Sequence, residues 1–230
     1  AELPRRPGEL SRMEEIGASM VADSPDEVRM RVREQLMQGA SQIKLTAGGG
    51  VASPFSPLDA STFTEEELRA AVEAAENWGT YVAVHAYTSE SVQRAIRAGV
   101  KVIEHAHLMD EETAKMIADN GIWLSTQPFD ESQAAVVPPG SIDRFHQVLA
   151  GTDHVYRLVK QYGIKTAFGT DILFSSALAE RHGDALVHLQ EWFTPAEVLA
   201  MATGTNGELL LLTGNRNPYP GRIGLVQEDA

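Results

Sequence analysis

Four side chains have types and spacing that could do chemistry together: Lys44, His85, His105 and Asp171. Neutral imidazoles ligate divalent metals, and a carboxylate can share such an ion or carry a proton. Cations in such a nest would polarise a carbonyl and make water nucleophilic near neutral pH. Lys44 lies in the apolar run SQIKL, where a buried charged amine is costly, so it should be paired, shifted in pKa or covalently modified. Each residue also has a plain alternative. A strand-end lysine can snorkel to solvent, and a lone histidine is more often a hydrogen-bonded structural residue. Placement decides between the two.

Placement follows from the elements. Short apolar runs at Gln42 to Thr46, Tyr81 to Ala86, Lys101 to His105, Ile122 to Thr126 and Lys165 to Gly169 have strand length. Helical patterns separate them, opened by Thr64 with Glu67, by Ser89, by Asp110 and by Ser141, and closed by Gly79, Gly99, Gly121 and Gly163. An earlier helix opens at Ser24-Pro25-Asp26-Glu27, with a capping-box glutamate, and ends near Gly39; a later one opens at Thr194-Pro195-Ala196-Glu197. The first twenty or so residues read as an irregular lead-in. Strand-helix alternation implies parallel strands, in either an open doubly wound sheet or part of a (β/α)8 barrel. The polar residues favour the barrel: Lys44, His85, His105 and Asp171 stand at or near strand C-termini, Gln127 follows another strand, and barrel enzymes gather their chemistry there.

Composition excludes several classes. The chain of 230 residues, 43% hydrophobic, can bury one core of barrel or sandwich size. Its formal charge of −13, from 32 acids and 19 bases, argues against nucleic acid or an anionic membrane as partner. There is no cysteine, so disulfides, thiolate nucleophiles and cysteine-ligated zinc are out. No run approaches the roughly 18 apolar residues of a membrane span, and the start AELPRRPGEL lacks the apolar core of a signal peptide; compartment stays open. Gly48-Gly49-Gly50 is not followed by Lys-Ser/Thr, so it is no phosphate-binding P-loop, and a flexible turn is its ordinary explanation.

Lys44 in GASQIKL, VHA around His85, IEHAH around His105 with EHAHLMDEE after it, FGTD around Asp171 and the late MATGTN resemble the amidohydrolase superfamily, nearest its imidazolonepropionase-like and prolidase-like members. The resemblance covers most of the chain. It implies an incomplete TIM-type (β/α)8 barrel, about strands four to eight, over residues 1–214, with 215–230 a connection towards a small β-domain. It implies hydrolysis of an amide-type C–N bond in a dipeptide, N-acyl amino acid or cyclic amide by a metal-activated water. Lys44 would be carbamylated and bridge two divalent ions, with zinc the expected metal; His85 and His105 would be ligands, and Asp171 a ligand and proton shuttle. The carbamate would turn Lys44 into an anion suited to lie between two cations.

One feature departs from that pattern. Members with this lysine carry a His-x-His pair on the first strand, and none precedes Lys44. His105-Ala106-His107 has the spacing, and strand alternation would put both rings on one face, but it stands in the sixth-strand context. The chain is therefore expected to lack the first three strands and half the metal site, and its open sheet edge to draw a second copy or the missing segment.

Tyr87 is a candidate for polarising a substrate carbonyl, or rim packing; His107 a substrate contact or spare ligand, or a surface histidine; His182 a substrate contact from the loop after Asp171. His146, His154 and His188 read as ordinary helix residues. Loops 52–62, with Pro54 and Pro57, and 128–140, with Pro138 and Pro139, should rim the site. Two other functions compete: a Schiff-base lyase or aldolase using Lys44 as a neutral amine, which leaves His85, His105 and Asp171 without a shared role, and an inactive barrel fragment acting as an interaction module.

Overall fold

In the computed structural model the five apolar runs form one parallel sheet: β1 (Ile43–Thr46), β2 (Val82–Thr88), β3 (Val102–Leu108), β4 (Trp123–Thr126) and β5 (Thr166–Phe168), hydrogen-bonded in chain order. The structure describes residues 9–53, 55–172, 175–219, 221 and 223–225. Pro54 of the first rim loop, most of the AELPRRPGEL start and residues 226–230 of the expected connection lie outside them. A doubly wound sheet reverses its strand order at a switch point; this one never does, so it is a run of barrel strands.

Helix α1 (Arg12–Glu15) comes first, then α2 (Pro25–Met37) leads into β1, and α3 (Glu65–Glu76), α4 (Ser89–Arg97), α5 (Glu111–Asp119) and α6 (Ile142–Tyr162) carry the chain from each strand to the next. The single turn of α1 replaces part of the irregular lead-in; four residues closed by a Ser11–Glu14 capping box are too few to show periodicity. Reciprocal boxes form at Thr64 with Glu67 and at Thr194 with Glu197, each cap contributing about 1 kcal/mol. Three caps differ from expectation. The Glu27 carboxylate accepts from the N–H of Asp23, not of Ser24. Thr88 caps α4, leaving Ser89 as its first residue, whose hydroxyl accepts the Asp110 N–H. Ser141 precedes α6 without a side-chain cap bond, and Gly163 ends that helix at φ 60°.

The sheet has two unlike faces. Ile43, Leu45, Val84, Ile103 and Leu124 pack under the helices in the main core. Tyr81, Ala83, Val102 and Trp123 form a smaller cluster on the other face, near the N-terminal ends of the strands, with Leu209 against it. After β5 the chain passes through α7 (Ser176–Ala179), α8 (His182–His188), α9 (Pro195–Ala200), a π-turn at Met201–Thr205, α10 (Asn206–Leu210) and a 3-10 segment, Leu211–Arg216. That last segment docks back: Arg216 Nε donates to the Trp78 carbonyl at 2.7 Å and its guanidinium lies over the Trp78 ring. Among the described residues no helix is long and apolar enough to cross a membrane.

Candidate active site

The strand C-termini open into a cavity of about 570 Å³. Lys44, His85, Glu104, His105 and Asp171 occupy one end of it; Val51, Phe129, Val136, Pro138, Phe145 and Leu178 line another part. On β1 alternation buries Ile43 and Leu45 and turns Lys44 the other way, where its Nζ pairs with the Glu104 carboxylate of β3. Glu104 is partnered in register with His85. The buried-lysine problem is thus met by an ion pair on a half-exposed side chain, and Glu104, seen in the sequence only as the neighbour of His105, is part of the site.

His105 reaches the cavity against its strand's alternation. Ile103 faces the helices and Glu104 the cavity, so His105 should face the helices again. Instead His105 (φ 79°) and Ala106 (φ 55°) adopt left-handed backbone, the β2–β3 register slips between Ala86 and Thr88, and Ala106 takes the core position. Asp171 is left-handed too, at φ 49°. Each such residue costs about 1–3 kcal/mol, and strain of this kind gathers at functional sites.

Hydrogen bonds fix which ring nitrogens are bare. His85 Nε2 donates to the Gly49 carbonyl at 2.7 Å, leaving Nδ1 with its lone pair. His105 Nδ1 donates to Gln127 Oε1 at 2.6 Å, leaving Nε2, which lies 3.9 Å from Asp171 Oδ2. The two rings are 4.5 Å apart between centroids. Burial lowers the pKa of His85 and drives that of His105 well below its ordinary value, with the neighbouring His85 adding to the effect, so both are neutral at pH 7. Burial raises that of Asp171, against the opposing pull of Lys44. Two bare imidazole nitrogens beside a carboxylate are the donor chemistry of a divalent metal, and to that extent the residues fit one. Among the described residues no three His, Asp or Glu side chains close into a complete cage.

The glycine run serves close approach, not flexibility alone: a Cβ on Gly49 would overlap the Pro57 carbonyl, and Gly49 supplies the acceptor for His85. Tyr87 lines the cavity, stacked on His105 at 4.6 Å, and burial raises its pKa, keeping the phenol protonated. His107 is no surface residue. It is fully buried behind the cavity wall, stacked on Phe129 at 4.9 Å, with Nε2 donating to the Gln127 carbonyl and Nδ1 unpartnered; burial lowers its pKa to about 4. It therefore does not share the cavity with His105, as the common strand face implied. His182 is exposed and bonded to Thr170 Oγ1 at 3.0 Å. His146 and His154 are exposed on α6, and His188 donates to the Pro128 carbonyl.

Ala52 and Ser53 of the first expected rim loop and Phe129, Gln133, Val136, Val137 and Pro138 of the second line the cavity, with Val51 just ahead of the first. Arg144 of α6 ties the first loop to the start of its own helix, donating to the carbonyls of Val51 and Ser53 and to Ser141 Oγ. Arg144 stands 93 positions after Val51, and nothing in the sequence marks that contact. Gln127 was visible as a polar residue just past a strand, but its hold on His105 was not.

Parallel strands in barrel order, with imidazoles, a lysine and carboxylates at their C-terminal ends, define a partial barrel of the (β/α) class. Residues 9–213 match the amidohydrolase family model, and the chain belongs to that family. It is 32% identical over 160 residues to an ochratoxinase of Aspergillus niger, covering 67% of this chain and 33% of that protein. Solved structures it resembles include an amidohydrolase (37% identity, TM-score 0.82, 96% of this chain and 53% of that one) and a prolidase complexed with N-methylphosphonate-L-proline (32%, 0.82, 95% and 56%). The A. niger ochratoxinase structure also matches (28%, 0.76, 99% and 50%). The chain spans a third of the curated relative and about half of each of these structures.

Proposed function

We propose that this chain carries the metal-binding and proton-transfer half of an amide hydrolase whose substrate is a small dipeptide or N-acyl amino acid with an apolar or aromatic group beside the scissile bond. The observation that carries the reading is one cavity with bare imidazole nitrogens at one end and Phe129, Phe145 and Val136 along its wall. The prolidase and ochratoxinase among its relatives support an amide target.

His85 through Nδ1, His105 through Nε2, Asp171 and a carbamylated Lys44 would hold divalent metal, two zinc ions in the intact site. Metal bound there supplies Lewis acidity towards the amide carbonyl and lowers the pKa of water. A carbamate on Lys44 would set an anion beside Glu104, an arrangement that calls for cations. Water adds to the carbonyl carbon and the C–N bond breaks, giving a carboxylate and an amine. Asp171, whose pKa is raised by burial, takes the proton from the attacking water and gives it to the departing nitrogen. The Tyr87 hydroxyl, kept protonated, orients the substrate carbonyl, and His182 contacts the substrate from the exposed side. Residues 1–214 form the catalytic unit and 215–230 lead out of it. The edge of β1 is proposed to pair with a further segment or a second copy.

The test is a screen of zinc-loaded protein for amine release from dipeptides and N-acyl amino acids, with metal analysis and intact mass. Turnover abolished by chelator and by His105→Ala is the expected result. Borohydride trapping of substrate on Lys44 with chelator-insensitive turnover would transfer the assignment to a Schiff-base lyase; metal-free protein with no turnover would leave an interaction module. Lys44 holds a carboxylate partner, whereas a Schiff-base lysine reacts as the free amine.

A further inference from the structure

The segment that delivers Asp171 is short and lies at a sheet edge. β5 has three residues and, among the described residues, pairs only with β4. The Leu124 N–H donates to the Lys165 carbonyl, so by the alternation of a parallel ladder Lys165 and Ala167 face β4 while Phe168 turns its N–H and C=O outward. Unpaired groups at such an edge would leave the next residues, Gly169-Thr170-Asp171, poorly fixed.

The side-chain amide of Asn206 meets both groups. Its Oδ1 accepts the Phe168 N–H at 2.9 Å and its Nδ2 donates to the Phe168 carbonyl at 3.0 Å, so it acts as the neighbouring peptide of an absent strand. Asn206 can do this because of the turn before it. Met201–Thr205 is a π-turn between α9 and α10, which inserts a residue and rotates α10 relative to α9; such turns recur at functional sites. Within it the Thr203 hydroxyl donates to the Leu199 carbonyl. Beyond it Gly207 lies so close to the Ile223 carbonyl that a Cβ would collide. The phrase MATGTN, conspicuous in the sequence but without a role at the cavity, is thus the device that brings a flat amide to the end of β5.

We propose that Asn206 is a positioning residue for Asp171: its two-bond clamp on Phe168 anchors the strand from which Asp171, three residues on, turns in left-handed backbone towards His105 Nε2. This rests on the hydrolase reading for its kinetic consequence, though not for the clamp itself. Asn206 does not line the cavity, so its removal should slow proton transfer without altering substrate binding.

The experiment compares wild type with Asn206→Ala, Asn206→Asp, Asp171→Asn and the double variant Asn206→Ala/Asp171→Asn, on zinc-loaded protein with the best amide from the screen. Asn206→Asp keeps the side-chain shape and the acceptor for the Phe168 N–H, and replaces the donor with a carboxylate oxygen that repels the Phe168 carbonyl. Both Asn206 variants should lose roughly 10–100-fold in kcat, as removal of such supporting contacts does, with KM within about twofold of wild type. In the Asp171→Asn background the further loss on Asn206→Ala should shrink to within about twofold, because the clamp then has nothing to position. Leu209→Ala serves as control: it loosens packing under the sheet and should lower Tm while kcat per folded molecule holds. A kcat for folded Asn206→Asp within about twofold of wild type, or an Asn206→Ala loss undiminished in the Asp171→Asn background, would overturn the proposal. Hydrogen exchange over residues 166–171 separates it from the function: faster exchange there in Asn206→Ala, with β2 and β3 unchanged, upholds the clamp even if wild type turns over no amide. Unchanged exchange refutes it whatever the activity.

Discussion

The two faces of the sheet obey different rules. Towards the helices, Val84, Ile103 and Leu124 are fully buried, apolar and in regular alternation. Towards the cavity, Lys44, His85, Glu104 and Asp171 are partly exposed and polar, and the backbone beside them is strained at His105, Ala106 and Asp171. One face is where stability is gained and the other is where it is given up for geometry. The difference teaches that the strands serve as a rigid comb: apolar burial on one side tolerates left-handed residues at the strand tips, because the penalty of a few kcal/mol is small beside the burial of a whole core.

Substitutions on each face should separate the two. Asp171→Asn should lower kcat by roughly 10²–10⁴-fold with little change in Tm, read by steady-state kinetics and thermal melts; a large fall in Tm would mean that the cavity face is also structural. Leu124→Ala on the helix face should cost about 2–5 kcal/mol by denaturant unfolding with kcat per folded molecule retained. Loss of kcat in the folded variant would erase the distinction.

His107 lies between the faces and gives a pH test. Its pKa is lowered from 6.5 to about 4 by burial, so the unfolded chain binds the proton at higher pH than the folded one. Its contribution is fully present above pH 6.5 and lost as pH falls towards about 4, a fall of about 3 kcal/mol, with His85 and His105 acting in the same direction. His107→Gln, which can still donate to the Gln127 carbonyl, should flatten the dependence of Tm on pH in that window; an unchanged slope would assign the acid sensitivity elsewhere. The smallest effect belongs to Gln127→Leu. Freeing the His105 ring should cost roughly 10-fold or somewhat more in zinc affinity, measured by competition with a chelator. Affinity equal to wild type would show that Tyr87 and the strained backbone hold the ring unaided.

Much of this was legible in the sequence. Five strands and the helices between them could be read because caps and apolar periods are local signals: Thr64 with Glu67 and Asp110 act as written. Where the reading slipped, a near neighbour did the same work, as Thr88 did for Ser89. The gathering of Lys44, His85, His105 and Asp171 was legible too, because all four follow apolar runs whose C-termini share one end of the sheet. Illegible were contacts between residues far apart: Glu104 on Lys44, Gln127 on His105, Arg144 on Val51 and Asn206 on Phe168. His107 was misjudged because a polar residue in a short strand tip carries no sign of what will cover it; Phe129 and α6 do.

The sequence by itself determined the elements, their parallel order and the end of the sheet where the chemistry collects, since caps, periodicity and the direction of each strand are properties of short stretches of chain. Only the tertiary structure decided which nitrogen of each imidazole stays bare, that His105 turns against its strand's alternation, and that Asn206 stands in for a strand. Those depend on hydrogen-bond partners tens of residues away, and on strain that only a completed core can hold.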